Sequence, residues 1–402
     1  MNRKTMSQPV ILSACRTPIG KFGKTLARVP AVRLGAAAVR EAISRAGLKG
    51  EDVEEVIAGN VISAGLGQNP ARQAAIYAGV PVTVGAVTVN KVCGSGLKAV
   101  MLAAQAIKAG DAGVLVAAGM ESMSNAPYLV RDVRWGTKAG DSKLVDSMIN
   151  DGLWDVYNDY HMGMTGERIA EKFHVSREEA DRFSYDSQMK AAAAQKAGRF
   201  AEEIVGLDVE GERGARARFE QDECIRADTT LEGLAKLKPA FKPNGVLTAG
   251  NSSQLSDGAA ALVVASEEAA QRLGAKPLAR VVGYHTGGTD PADIMEAPIP
   301  TVKALLQKTG IGVDEIDLFE HNEAYSVASI VVRDELGIPE EKFNVNGGAI
   351  ALGHPIGASG ARVLATLIYE LRRRRKATGL ATLCLGGGNA VAMVIRVDGG
   401  SG

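Results

Sequence analysis

The feature that most restricts how this 402-residue chain can fold is a pattern written twice. The stretch CGSGLKAVMLAAQAIKAGDAGVLVAAGMES, from Cys93, passes from a reactive residue into a Gly/Ser-rich helix start, a small-residue helix and an apolar strand. The stretch HPIGASGARVLATLIYELRRRRKATGLATLCLGGGNA, from His354, passes through the same order. One supersecondary unit repeated near both ends predicts two α/β halves of similar topology packed together, with Cys93 and His354 at related helix N-termini.

Around the first copy, short β-branched runs alternate with Ala-rich helical stretches: PVILSA, AVRLGAAAVREAISRAGL, EEVIAGNVI, ARQAAIYAG and AVTVN. The strands lack the in/out alternation of a half-solvated sheet, so each half should hold a mixed five-stranded sheet covered on both faces. From about Ser122 to Asn251 the texture changes, with charges and both tryptophans, Trp135 and Trp154, collecting there. Within it, Ser176-Arg-Glu-Glu179 is a capping box opening a helix that should run to Gly198. This segment reads as an inserted loop domain. The expected division is 1–121 plus 252–275 for the first half, 122–251 for the insertion and 276–402 for the second half.

Lys+Arg and Asp+Glu each total 46, a formal charge of zero. That leaves no broad basic excess for nucleic acid. Any anionic ligand must be met by a few local cations and backbone amides. No run of about 18 apolar residues occurs, which predicts no membrane span. Neither the N-terminal segment nor the C-terminal VDGGSG resembles a targeting address, so a cytoplasmic location is expected. The four cysteines, Cys15, Cys93, Cys224 and Cys384, lie far apart without CxxC spacing and read as free thiols. Two cysteines and a histidine this dispersed match no metal-ligand spacing, and no metal is expected.

Cys93 stands between a strand and a helix. That position should lower its pKa, because backbone N–H groups and the helix macrodipole stabilise a thiolate. His354, flanked by Gly353 and Pro355, could accept its proton. Cys384 ends an apolar strand that runs into three glycines, and a second thiol suits proton transfer at carbon. Asn322, after the apolar IDLF, could orient a water or donate to an oxyanion. The GGGN that follows Cys384 offers backbone N–H groups for an oxyanion hole. Arg226, between acidic residues in DECIRADTT, could grip a phosphate or form an ordinary surface ion pair. The run Arg372–Lys376 reads as a solvated, dipole-matched helix end.

Taken together, GQNPARQAA (67–75), NKVCGSGLKA (90–99), AAGMESMSNAP (117–127), HMGMTGERIA (161–170), LTAGNSSQLSDGAAA (247–261), NEAY (322–325), GHPIGASGAR (353–362) and CLGGGNA (384–390) resemble, in order, the signatures of the thiolase family. The resemblance implies a thiolase-like layered fold of two βαβαβαββ halves and a cysteine-dependent acyl transfer between coenzyme A thioesters. It implies that Cys93 carries the acyl group, that His354 activates it and that Cys384 exchanges the α-proton of the second substrate. Asn322, through a water, and His354 would hold the enolate oxygen, and the amides of Cys93 and Gly386 would hold the tetrahedral oxyanion. For coenzyme A it implies His161 and Met162 at the pantetheine and acyl end, Arg226 at the nucleotide, and Phe241 and Ser253 on the pantetheine. Coenzyme A enters as a substrate, and no cofactor is implied.

The loop around HMGMT is similar to that of short-chain members, which implies acetyl-CoA condensation over a broader 3-ketoacyl specificity. A homo-oligomer, tetramer or dimer, is also implied, with Trp135–Asp141 as a tetramer contact. Three positions depart from the commonest pattern: NEAY in place of NEAF, IMEAPIP (294–300) in place of a Gly/Thr-rich version, and His321 before Asn322. They leave the reaction type intact and bear on the acyl pocket. A decarboxylating relative would use Cys with two histidines, and a non-catalytic one should lack Cys93, His354 or Cys384.

Overall fold

A computed structural model describes residues 7–210 and 216–398. The first six and last four residues, read above for targeting signals, lie outside them. In the first half the strands are β1 (Pro9–Arg16), β2 (Glu55–Gly59), β3 (Gly85–Val89), β4 (Val114–Ser122) and β5 (Ser256–Ser266). They lie in the order β3-β2-β4-β5-β1. The first two pairings are parallel and the last two antiparallel. The second half contributes β6 (Ala279–Gly288), β7 (Leu318–His321), β8 (Thr378–Leu385) and β9 (Asn389–Arg396), in the order β7-β8-β9-β6. Its pairings repeat the same senses: parallel, antiparallel, antiparallel.

The fifth strand position of the second half is a single parallel bridge, Phe319 to Phe343, and not a full strand. Asn344 (φ 43°) and Gly347 (φ 74°) turn that segment into the left-handed region, where an extended ladder cannot continue. The two halves join directly, because β1 and β6 pair antiparallel at Val10↔Arg280 and Ile11↔Ala279. The predicted repeat is therefore present as one continuous sheet with mirrored strand order about that seam.

The helices that matter for the site are α1 (Ala31–Arg45), α2 (Pro70–Ala78), α3 (Ser95–Ala109), α4 (Gly163–Lys172), α5 (Arg177–Lys196), α6 (Pro298–Thr309), α7 (Ser326–Glu335) and α8 (Ile356–Arg374). Strand periodicity of two sorts the side chains into layers. On β4, Leu115 and Ala117 join α3 and α8 in one core, while Val114, Val116 and Ala118 face α1 and α2 in another. On β8 and β9, Leu383, Leu385, Val391 and Met393 join the α3/α8 core, while Leu380, Cys384, Ala392 and Val394 face α6 and α7. Both halves thus turn one face to the same two helices, and every residue of α8 from Ile356 to Leu371 is buried. Each fully buried Leu, Ile or Val there contributes about 1.5–3 kcal/mol.

The two central helices cross close to their N-termini. A Cβ on Gly96 would stand 2.6 Å from Ala361 N, and one on Gly360 would collide with Leu97 N. Only glycine permits this approach, and it brings the residues just ahead of each helix together. In the segment between β4 and β5, Ser176 accepts from Glu179 N–H in the expected capping box, and α5 ends before Gly198, which has φ +68°. At the far end of α8, Arg373 and Arg374 pair with Glu370.

Candidate active site

Cys93 sits in a strained turn between β3 and α3. Val92, directly before it, has φ 46°, a conformation that costs a β-branched residue about 1–3 kcal/mol. Asn90 Oδ1 accepts from Val92 N–H at 3.0 Å. Ser95 Oγ accepts from Lys91 N–H at 2.8 Å and donates to Val92 O at 2.6 Å. The turn is also held from across the sheet. Val92 packs on Gly386, whose Cβ would stand 3.2 Å from Val92 Cγ1, and a Cβ on Gly94 would strike Leu385. This contact between the start of α3 and the end of β8 brings the Gly386 backbone beside the Cys93 turn, where its N–H and that of Cys93 act to lower the thiol's pKa.

His354 holds the matching position before α8. Its N–H donates to Gln254 O at 3.0 Å, and its Nδ1 lies 2.6 Å from Ser359 Oγ. Ser359 spends its own proton on Pro355 O, 2.9 Å away. With that proton on Pro355 O the hydroxyl accepts from the imidazole, which assigns the ring proton to Nδ1 and leaves Nε2 as a base. Cys384, the penultimate residue of β8, is buried, with Sγ 3.9 Å from Met295 Sδ. It lies close enough to Cys93 to help raise that thiol's pKa. Asn322 caps the end of β7 through its N–H on Thr382 O, 3.1 Å. It is fully buried, and among the described residues neither its Oδ1 nor its Nδ2 has a hydrogen-bond partner. Such an amide is costly unless something else satisfies it.

The electrostatics differ from the sequence expectation of a lowered Cys93 pKa. Burial pushes the Cys93 thiol up, the neighbouring Cys384 adds to this, and the two backbone amides only partly oppose it. Burial likewise raises Cys384 to about 12. His354 is lowered to about 3, by burial first and by the Arg362 charge second. Desolvation outweighs the helix terminus, so the resting site holds two thiols and a neutral imidazole.

A row of rings leads away from the sulfurs. His161 stacks on Phe241 at 4.9 Å and 19°, and Phe241 meets Tyr325 edge-on at 5.9 Å. Tyr325 in turn feels both Cys93 and Cys384. His161 Nδ1 accepts from Gly163 N–H at 3.0 Å, and burial lowers its pKa. Met162 is buried in one apolar cluster with Met295, Leu247, Tyr325 and Cys384. Ser253 N–H donates to Ala324 O at 3.0 Å, tying that segment to NEAY. Arg226 stands apart from this row. Its N–H is held by Gln188 Oε1 at 2.8 Å. Among the described residues its Nε and Nη2 are buried without a partner, and none of them forms the surface ion pair that the sequence left open.

Sequence reasoning passed over three residues. Ser359 was inside a quoted motif, and its spacing of five from His354 at a helix start could have found it. Met295 was noticed only as part of IMEAPIP. Glu121, fully buried, accepts from Asn60 Nδ2 (2.8 Å), Val61 N–H (3.1 Å) and Gly357 N–H (2.8 Å), and so ties β4 to the start of α8; no local signal marks it. His321 is fully buried, with Nδ1 2.9 Å from Ser329 Oγ and its ring stacked on Phe343. A cleft of about 210 Å³ between α5 and α7, lined by Arg182, Asp186, Ser187, Glu323 and Asn344, contains none of the predicted catalytic side chains. Among the described residues, no three His, Cys, Asp or Glu side chains cluster as a metal site, and no helix is long and apolar enough to cross a membrane.

The chain is similar to known proteins over nearly its whole length. Residues 9–268 match the thiolase N-terminal domain and residues 275–397 the thiolase C-terminal domain. The chain is 53% identical to an acetyl-CoA acetyltransferase of Pseudomonas aeruginosa, over 98% of this chain and 100% of that one. The crystal structure of the Bacillus anthracis acetyl-CoA acetyltransferase superposes with a TM-score of 0.96 at 41% identity, covering 98% of this chain and 99% of that one. That of human mitochondrial 3-ketoacyl-CoA thiolase superposes at 0.95 and 40%, with the same coverage.

Proposed function

The chain belongs to the thiolase family, and from that premise we propose that it catalyses the reversible condensation of two acetyl-CoA into acetoacetyl-CoA and coenzyme A, through an acyl-enzyme on Cys93. The curated relatives of about 50% identity that support this carry the name acetyl-CoA acetyltransferase. The observation that carries the chemistry is the close approach of the Cys93 turn to the glycine loop after Cys384, where Val92 packs on Gly386 and Gly94 on Leu385. The Cys93 and Gly386 amides that meet there would serve as the oxyanion hole for a carbonyl that the sulfur attacks.

The residues divide the work as follows. His354 Nε2 takes the Cys93 proton as the sulfur attacks the first thioester. The raised thiol and the weakly basic imidazole disfavour a free thiolate–imidazolium pair. Proton transfer therefore accompanies attack, and the charge passes to the oxyanion held by the two amides. Each such donor contributes about 3–4 kcal/mol to the transition state. Coenzyme A leaves as the thiol with the proton from His354. As Cys384 cedes its own proton to His354 Nε2, its sulfur removes the α-proton of the second acetyl-CoA, while Asn322, through a water, and the His354 Nε2–H hold the enolate oxygen. The enolate carbon attacks the acetyl group, and Cys93 departs as the thiol with the proton from His354. A covalent relay of this kind gives ping-pong kinetics.

For coenzyme A, the His161–Phe241–Tyr325 row supports a pantetheine and acyl channel beside Met162 and Ser253. The unpartnered nitrogens of Arg226 support a phosphate contact. We also propose a cytoplasmic homo-oligomer, tetramer or dimer. Trp135 is 82% exposed on the segment joining Tyr128–Val130 to Leu144–Asp146, with Tyr128, Val133 and Leu144 exposed beside it. Solvent does not favour an apolar patch of that kind. The deciding experiment is intact mass after incubation with acetyl-CoA, with the modified residue mapped. An acetyl group on Cys93 is expected; a chain that stays unmodified, or is acetylated elsewhere, contradicts the reading.

A further inference from the structure

The sheet register sets two asparagines in matching places. In the second half, Asn322 stands one residue beyond His321↔Thr382, the last parallel pair of β7 with β8, and Cys384 stands two beyond it. In the first half, Asn60 and Glu121 hold those places beyond Gly59↔Gly119, the last pair of β2 with β4. The two sets differ in what they meet. Among the described residues, the Asn322 amide has no hydrogen-bond partner. Asn60 is satisfied by protein: its Nδ2 donates to Glu121 Oε1 at 2.8 Å and Met120 O at 3.2 Å, and its Oδ1 accepts from Ser63 Oγ at 2.6 Å. One half thus leaves its pair open to a substrate, and the other has closed the same pair into the scaffold.

Glu121 is where that closed pair reaches the site. Besides Asn60, its carboxylate accepts from Val61 N–H at 3.1 Å, Ile62 N–H at 3.2 Å and Gly357 N–H at 2.8 Å. Pro355 gives α8 no side-chain cap, so Glu121 supplies from β4 an acceptor that the first turn needs. A Cβ on Gly357 would stand 2.9 Å from Glu121 Oε2 and 2.8 Å from Met120 O, which shows how closely the helix start is pressed onto β4. Val61 and Ile62, held by the same carboxylate, pack in one apolar cluster with Ile356, Val92 and Cys93. One buried group therefore holds both the helix that follows His354 and, through two residues, the turn that carries Cys93.

We infer that Glu121 is a positioning residue for the proposed reaction: seated where the other half carries Cys384, its carboxylate sets the spacing between His354 and the Cys93 turn. This rests on the roles proposed for Cys93 and His354. A proton on either carboxylate oxygen takes up a lone pair that one of the donors now uses, so the ionised form is the one that holds. Burial raises Glu121 to about 7; the N–H groups of Gly357, Ile62 and Val61 oppose this, and Asp257 on β5 adds to it. Cys93, which also faces it, is a neutral thiol. The reacting groups titrate far from that value, His354 at about 3 and Cys384 at about 12.

The test is the pH profile of kcat/KM for acetyl-CoA condensation in the wild type, Glu121→Gln and Asn60→Ala. The carboxylate is lost as pH falls through about 7, so the wild-type rate should fall on that side. Glu121→Gln, which cannot titrate, should be about 100-fold slower in kcat and flat through that range, with KM for acetyl-CoA nearly unchanged. Asn60→Ala removes one donor to the carboxylate, so its acid limb should move to higher pH. A limb retained in Glu121→Gln belongs to another group, such as Asp257, and overturns the inference, as does a wild-type kcat in that variant. If Glu121→Gln does not fold, Asn60→Ala decides, and a limb at the wild-type pH overturns the inference. A wild type that turns over with a flat profile overturns this inference alone. One that forms no acetyl-enzyme from acetyl-CoA overturns the proposed reaction, and this inference with it.

Discussion

Ser359 stands one helical turn beyond His354 and accepts the imidazole Nδ1 proton at 2.6 Å, while its own proton goes to Pro355 O. The hydroxyl of one residue thereby fixes which nitrogen of the other can act as a base. In Ser359→Ala the ring is free to change tautomer, with Nε2 protonated in part of the molecules. Loss of one such bond, at about 1–1.5 kcal/mol, should lower kcat/KM about tenfold while the thermal unfolding midpoint moves little. Ser359→Thr, which keeps the hydroxyl, should restore most of the rate. An Ala variant as active as the wild type would show that the ring is fixed by other contacts.

The two thiols should separate by step. Cys384→Ala should still form acetyl-enzyme from acetyl-CoA but lose exchange of the acetyl-CoA α-protons with deuterated water. Cys93→Ala should lose acylation and all turnover. Mass spectrometry reads the first step and NMR of the thioester the second. Near-full exchange in Cys384→Ala would assign the carbon acid chemistry to another group.

His321 offers a pH test with a definite sign. Burial lowers its pKa to about 3, against about 6.5 in an unfolded chain. The neutral ring therefore favours the fold, and its contribution is complete above about pH 6.5 and is lost as pH falls toward 3. His321→Phe keeps a ring against Phe343 but cannot take a proton. Between pH 6.5 and 5.5 the variant should gain about 1 kcal/mol relative to the wild type, read from urea unfolding at the two pH values. A difference independent of pH would mean that the imidazole is not held neutral by burial.

Arg226 should act on binding more than on chemistry. Two of its nitrogens are buried without a protein partner, and a charge-assisted bond to phosphate contributes about 1.5–3 kcal/mol. Arg226→Gln should raise the KM for acetyl-CoA about tenfold or more with kcat nearly unchanged. An unaltered KM removes Arg226 from the coenzyme A contacts.

The linear sequence determined the element order and the repeated unit and marked the residues proposed as reactive, because each is a local pattern. A polar approach before a glycine-rich helix start marks Cys93, glycine and proline beside a histidine mark His354, and the apolar run into three glycines marks Cys384. Tertiary structure alone decided what these residues meet. Gly386 meets Val92, and Met295 touches Cys384, only through sheet register and the close crossing of α3 and α8 at Gly96 and Gly360. It also decided the sign of the Cys93 shift. A helix terminus is visible in a sequence, but desolvation is a property of everything packed around the sulfur, and here it is the larger of the two.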